Sequence, residues 1–256
     1  MPTTTVRYRN PRLVVGLMLA IGEGVYAQTI SQSGQSNTMA TNNPFSTPSL
    51  TLTGALVEAT GGSVPLAKVK ETIQAALESK DYKTALDFAI IGLKVSPVDF
   101  QLLGAKAIAL TRLHRLPEAI AAHRDALAVE PDNINAVCGL AELLLITGQI
   151  AEYRTLVAKY KPQIDTTRDG VISKYFSVLE AYQAADKHRL RSVVTQSLNA
   201  LPSRKGSLAG GWEFDEVSSM ISQQPASPKK VMLAIFLRVL TGEVSRDVAL
   251  QAIKKL

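Results

Sequence analysis

Three histidines, one cysteine and a scatter of carboxylates are the residues of this 256-residue chain from which chemistry could be built. Their spacing builds little. His114, His123 and His188 form no H-E-x-x-H pair, which would aim two imidazoles at zinc from one helix face, and no cysteine cluster supplements them. His123 falls on an apolar face and reads as a packed imidazole. Cys138 stands alone, so neither an intrachain disulfide nor a cysteine zinc site can form, and it reads as a small buried hydrophobe. Ser173-Lys174 and Ser227-Pro-Lys-Lys230 pair a hydroxyl with an amine but lack the companion motifs of a penicillin-binding enzyme. The chain has no nucleophile elbow, no Gly-rich Lys-Ser/Thr phosphate loop and no dinucleotide fingerprint. Glu118, Asp125 and Glu130 read as solvated helix faces. No catalytic residue, metal or cofactor is expected, and the chain reads as a binding protein rather than an enzyme.

The elements that would position any site come from a repeat. Tyr82, Ala85, Leu86, Ala89, Leu93 and Pro97 recur at one constant offset as Leu116, Ala119, Ile120, His123, Leu127 and Pro131. Within each copy the apolar positions follow i, i+3, i+4, i+7 and i+11, one face of an α-helix. A preceding helix repeats at the same offset: Val69, Ile73 and Ala76 recur as Leu103, Ala107 and Leu110, then as Val137, Ala141 and Leu144. Asp81, Asp99 and Asn133 stand where a short polar side chain accepts from unpaired N–H groups of a first turn. Pro117 suits a first turn, and Gly148 suits a helix end.

This pattern, with alanines at helix contacts and a proline closing each second helix, resembles the tetratricopeptide repeat family. The resemblance covers residues 66–148 well and weakens to about 201. It implies an all-α fold, an α-solenoid of antiparallel helix hairpins, with capping helices at the C-terminal end. Departures stand beside it: Leu103 replaces a frequent Trp, and His123 a frequent Phe or Tyr. In the third unit the register asks for a small residue at Tyr153 and an apolar one at Arg154. Its second helix is expected to use Ile150, Val157, Tyr160 and Ile164 instead. A fourth hairpin is expected from Val171, Tyr175, Val178 and Tyr182, then Leu190, Val193, Val194, Leu198 and Leu201.

Four segments follow: 1–27, 28–64, 65–204 and 205–256. The first carries Arg7, Arg9 and Arg12, an apolar run from Leu13 to Ile21, and Val25 and Ala27 before Gln28. That layout is a secretory signal peptide cut between Ala27 and Gln28, since the run is about half of the ~20 residues a bilayer span needs. An exported protein without a stable membrane anchor in its mature form is expected, periplasmic, with the extracellular medium as the alternative. Residues 28–64 hold no Lys or Arg and one acid, Glu58, and read as a flexible Ser/Thr/Asn/Gln-rich leader, with Leu50–Thr53 alternating like a short strand. Past the turn-rich stretch Gly206–Gly211, the lone Trp212 is either a cap anchor or an interface hot spot. The run Val231–Leu240 is apolar nearly all round, which demands burial against the repeat end or against another protein. Ser245 starts a last helix burying Ala249, Ala252, Ile253 and Leu256.

The formal charge is +6, and the stretch from Ala226 to Leu256 carries most of it, too small an excess to argue for nucleic acid. The family resemblance implies a concave face made by the first helices and used for protein or peptide recognition. The register directs Lys70, Gln74, Gln101, Ile108, Thr111, Arg112, Asn135 and Glu142 to it. Gln74 and Gly104 stand where a carboxylate-gripping cluster would need other residues, so that specificity is not implied. The expected partner is a protein or peptide segment, and a homo-oligomer is compatible with the pattern. The expected role is a scaffold in assembly or stability of an envelope complex for secretion, pilus formation or polysaccharide export. The alternatives are a secreted effector that binds a host protein and an accessory protein or enzyme of cell-wall metabolism.

Overall fold

The computed structural model describes residues 65–256 apart from 185, 204 and 205. They form twelve α-helices and no strand, which bears out the all-α expectation. The expected signal peptide, the Ala27–Gln28 cut, the leader and its short strand all lie outside the described residues. The chain divides between Pro65 and Leu66, and Leu66–Leu256 is one unit.

The first five helices are α1 (Leu66–Glu78), α2 (Tyr82–Val95), α3 (Phe100–Arg112), α4 (Leu116–Val129) and α5 (Ile134–Ile146), and each packs against the next. Asp81, Asp99 and Asn133 cap α2, α3 and α5 by accepting from backbone N–H groups two or three residues on. All nine repeated first-helix core residues are buried, as are Ala85, Ala89, Ala119, His123 and Ala126 of the second helices. Small side chains at these contacts let helix axes approach closely.

The repeat extends to the turns. Lys80, His114 and Gly148, equivalent positions of successive units, take φ of 61°, 56° and 76°. At each, the next residue's N–H bonds the carbonyl five residues back: Asp81 to Ala76, Arg115 to Leu110, Gln149 to Leu144. These are three Schellman closures of the first helices. The expected C-terminal Gly148 is one of them.

The third unit differs from its expected single second helix. It is split into α6 (Ile150–Lys159) and α7 (Lys161–Thr166) at Tyr160, just before Pro162, whose ring cannot continue the backbone ladder. The Tyr160 hydroxyl donates to the carbonyl of Pro131 at 2.8 Å, tying the break to the preceding unit. Tyr160 and Ile164 are buried as expected, while Ile150 and Val157 are half-buried. Tyr153 is buried although the register asks for a small residue, and its ring meets Phe176 edge-on at 6.2 Å. Arg154 faces out and pairs with Glu180 at 2.8 Å.

The fourth hairpin is α8 (Val171–Gln183) and α9 (Lys187–Ala200), with every expected core residue buried except the half-buried Val193. Three further helices follow: α10 (Asp215–Ser222), α11 (Pro228–Leu240) and α12 (Arg246–Lys254). α11 packs on α8 and α9 and buries Met232, Leu233, Phe236, Leu237, Val239 and Leu240. Each such side chain contributes about 1.5–3 kcal/mol. Its remaining face is open at Val231 and Arg238, so burial is not complete all round. α12 seals α9 and α11 with Ala249 and Ile253, while Ala252 and Leu256 are half-buried. Lys187 Nζ reaches the carbonyl of Leu256 at 2.8 Å.

Candidate binding face

α1, α3 and α5 line up a hollow of about 420 Å³. Five of the eight residues assigned to the groove by register border it: Lys70, Gln74, Gln101, Ile108 and Asn135. Ile73, Leu77, Leu102 and Ala105 supply apolar wall between them. Ile108 is 44% exposed, an apolar side chain left open to solvent. Lys70 is held by Asp99 at 2.6 Å, so the cation at this edge is neutralised. Burial opposes ionisation of Asp99, but Lys70 and the N–H groups of Leu102 and Gln101 outweigh it and lower its pKa.

His123 reaches the same hollow from α4. It fits because Gly139 on α5 has no side chain: a Cβ there would stand 2.5 Å from Cε1 and 2.8 Å from Nε2 of the imidazole. Burial pushes the His123 pKa down to about 4, so the ring is neutral at physiological pH. Its Nδ1 is buried with no hydrogen-bond partner among the described residues. The sequence placed His123 on a core face, which is correct, but not at the edge of a hollow.

The remaining three assigned residues, Thr111, Arg112 and Glu142, do not border the hollow. Thr111 is half-buried and donates to the carbonyl of Ala107 at 2.8 Å. Arg112 pairs with Glu216 and, at 2.9 Å, with Glu213. Burial works against its charge, yet Glu216, Glu213 and Asp215 raise its pKa. Glu142 is buried, accepts from the Tyr175 hydroxyl, and lies 3.4 Å from Trp212 Nε1. Burial first, and then the nearby Glu216 charge, push its pKa up to about 7 against the lowering effect of Tyr175. The stretch Trp212–Glu216 and α10 cover Arg112 and Glu142, with α10 touching α3 and α5. Phe214 completes the cover, its ring 4.9 Å from that of Tyr175. Trp212 is an anchor of the C-terminal segment, with Arg168 over its ring at 5.5 Å.

Register could not supply Tyr175, Trp212, Glu213, Phe214 or Glu216, because they come from outside the repeat. The one available signal was compositional: the lone Trp is followed directly by Glu-Phe-Asp-Glu. Cys138 is fully buried, and burial pushes its thiol up to about 12, so it holds its proton. Among the described residues no group of three His, Cys, Asp or Glu side chains could hold a metal ion, and no helix is long and apolar enough to cross a membrane. Searches of protein-family models, curated proteins and solved structures find no match to the chain.

Proposed function

We propose that this chain is an exported, tetratricopeptide-like scaffold whose first-helix face holds a segment of a partner protein, in the service of an envelope complex. The complex would be of the secretion, pilus or polysaccharide-export kind. In this reading the three repeated units stack as turns of a short α-solenoid, and α11 and α12 close its C-terminal end. The observation that carries it is the open hollow on α1, α3 and α5, where four other register-assigned residues meet around the exposed Ile108. An apolar floor ringed by a few polar groups is the general form of a recognition site. Groove docking of a mixed polar and apolar segment follows.

The test is cross-linking in intact cells, with captured partners identified by mass spectrometry for the natural chain and for Ile108→Asp. Ile108 is exposed, so the substitution leaves folding intact while placing an unpaired charge in the hollow. Loss of a specific captured protein supports the reading; unchanged capture refutes it. Sequencing the N-terminus of the mature protein from the cell envelope checks the export step, with Gln28 as the expected first residue.

A further inference from the structure

We infer that residues 212–222 form a pH-gated cover: ionisation of Glu142 loosens them from α3 and α5 while the helices beneath stay folded. The cover holds or opens whether or not the hollow binds a partner, and its basis is a mismatch of charges beneath it.

Glu142 of α5 is buried, and the groups that touch it are neutral: the Tyr175 hydroxyl of α8 donates to it, and the Trp212 indole lies 3.4 Å away. The cation that acts on it, Arg112 of α3, is already held by Glu216 and Glu213, with Asp215 also drawing on its charge. Glu216 of α10 is itself buried, with one oxygen unpartnered among the described residues. One guanidinium thus faces two buried carboxylates, an arrangement that stays closed while one of them carries a proton. Burial first, and then the Glu216 charge, place that proton on Glu142. Among the described residues the other titratable groups packed on α5 supply no second cation. Cys138 and Tyr153 keep their protons, and His123 is neutral against Gly139. Glu180 of α8 pairs with Arg154, and Lys161 of α7 with Asp165. Arg168 stacks on the Trp212 ring and donates to the Gly210 carbonyl at 3.3 Å, so it grips the cover rather than Glu142.

The cover is built to open by itself. α10 has eight residues, too short to be stable alone, and buries only Glu216, Val217 and Ile221. Its flanks are fixed independently. The N–H groups of Leu208 and Ala209 donate to the Leu240 carbonyl, and Lys230 Nζ reaches the carbonyls of Ser222 and Gln224. Opening frees the stretch between these two anchors and bares Arg112, Glu142 and Tyr175. The closed form keeps a proton that the open form releases. Its advantage is therefore whole below about 4.5 and is lost as pH rises through about 7.

The experiment is amide hydrogen exchange of the full chain at pH 5.5, 6.5 and 7.5, corrected for intrinsic exchange rates and read by mass spectrometry on peptides from 212–222 and from α1 and α2. The opening constant of 212–222 should rise roughly tenfold across that range while α1 and α2 stay unchanged. Glu142→Gln cannot ionise and should flatten the rise. Glu216→Gln releases Arg112 to serve Glu142 and should shrink it. In the natural chain labelled with carbon-13 at glutamate carboxyls, one carboxyl should titrate near 7, in step with the exchange. Should Glu142→Gln fail to fold, that titration and Glu216→Gln decide the matter. A pH-independent opening constant for 212–222, an equal rise in α1 and α2, a rise that persists in Glu142→Gln, or no carboxyl titrating near 7 would overturn the inference.

Discussion

Glu142 and His123 are both buried without an opposite charge fully matched to them, and they bend the pH dependence of stability in opposite directions. For Glu142 the folded pKa of about 7 lies above the ordinary 4.5, so the folded state holds a proton that the unfolded chain releases. Its contribution is free of penalty below about 4.5 and is lost progressively as pH rises through about 7. The span of the shift corresponds to about 3 kcal/mol. For His123 the folded pKa of about 4 lies below 6.5, so stability is lost as pH falls through that window. Between about 4.5 and 6.5 the two slopes oppose, and the natural chain should show a flat urea midpoint there. Glu142→Gln, which keeps acceptor and donor contacts without ionising, should raise the midpoint at pH 8 and leave it nearly unchanged at pH 5. Urea titrations at half-unit pH steps check both, and a variant with the same midpoint as the natural chain at pH 8 would contradict the burial account. The sequence alone assigned Glu142 to an open groove because register carries no information about cover. Its cover is Trp212, 70 residues further along the chain.

At the level of elements, what is local was legible and what is imposed from a distance was not. The caps at Asp81, Asp99 and Asn133 act within three residues of themselves, and their residue types announce them. The split between α6 and α7 has a local mark in Pro162, but the bond that ties it to the preceding unit, from Tyr160 to a carbonyl 29 residues upstream, is one no window of sequence displays. The Schellman turns are an intermediate case. Gly148 marks one, whereas Lys80 and His114 adopt the same left-handed backbone without glycine's freedom. That conformation costs an L-residue about 1 kcal/mol. His114→Gly should therefore stabilise the fold by about 0.5–1 kcal/mol, and Gly148→Ala should destabilise it by at least as much. Lys80→Gly should gain slightly less, since it forfeits a 3.6 Å exposed contact with Glu213 that is worth little. Thermal melts of the three single variants test the set; the opposite order would mean the turns are relaxed as they stand.

For the whole molecule, the register decays after Gly148, yet residues Leu66–Leu256 remain one unit, so something other than the repeat ties the C-terminal third to the rest. Packing of α8 on α5, and of α10 on α3 and α5, makes the helix contacts of that tie, while α11, whose burial was visible in the run Val231–Leu240, joins α10 and α12 to α8 and α9. The polar part was not visible: Arg112, from the repeat, is held between Glu213 and Glu216, from the segment beyond it. Glu216 is buried, with one oxygen that has no hydrogen-bond partner among the described residues, so it depends on Arg112. Removing the guanidinium leaves that carboxylate uncompensated, and breaking such a buried pair costs about 3–5 kcal/mol. Trp212 is the lone tryptophan and lies within the tied segment, which makes its fluorescence a local reporter. In the natural chain the Trp212 signal and the helical circular dichroism should be lost together in urea, as one cooperative unit requires. In Arg112→Ala the Trp212 transition should move to lower urea and precede the loss of helix, because α1–α5 retain their own packing. Glu216→Gln should produce a smaller shift in the same direction, since the neutral amide no longer needs a cation. Coincident transitions in Arg112→Ala, at the natural midpoint, would show that helix packing alone holds the segment and that the Arg112 clamp is incidental.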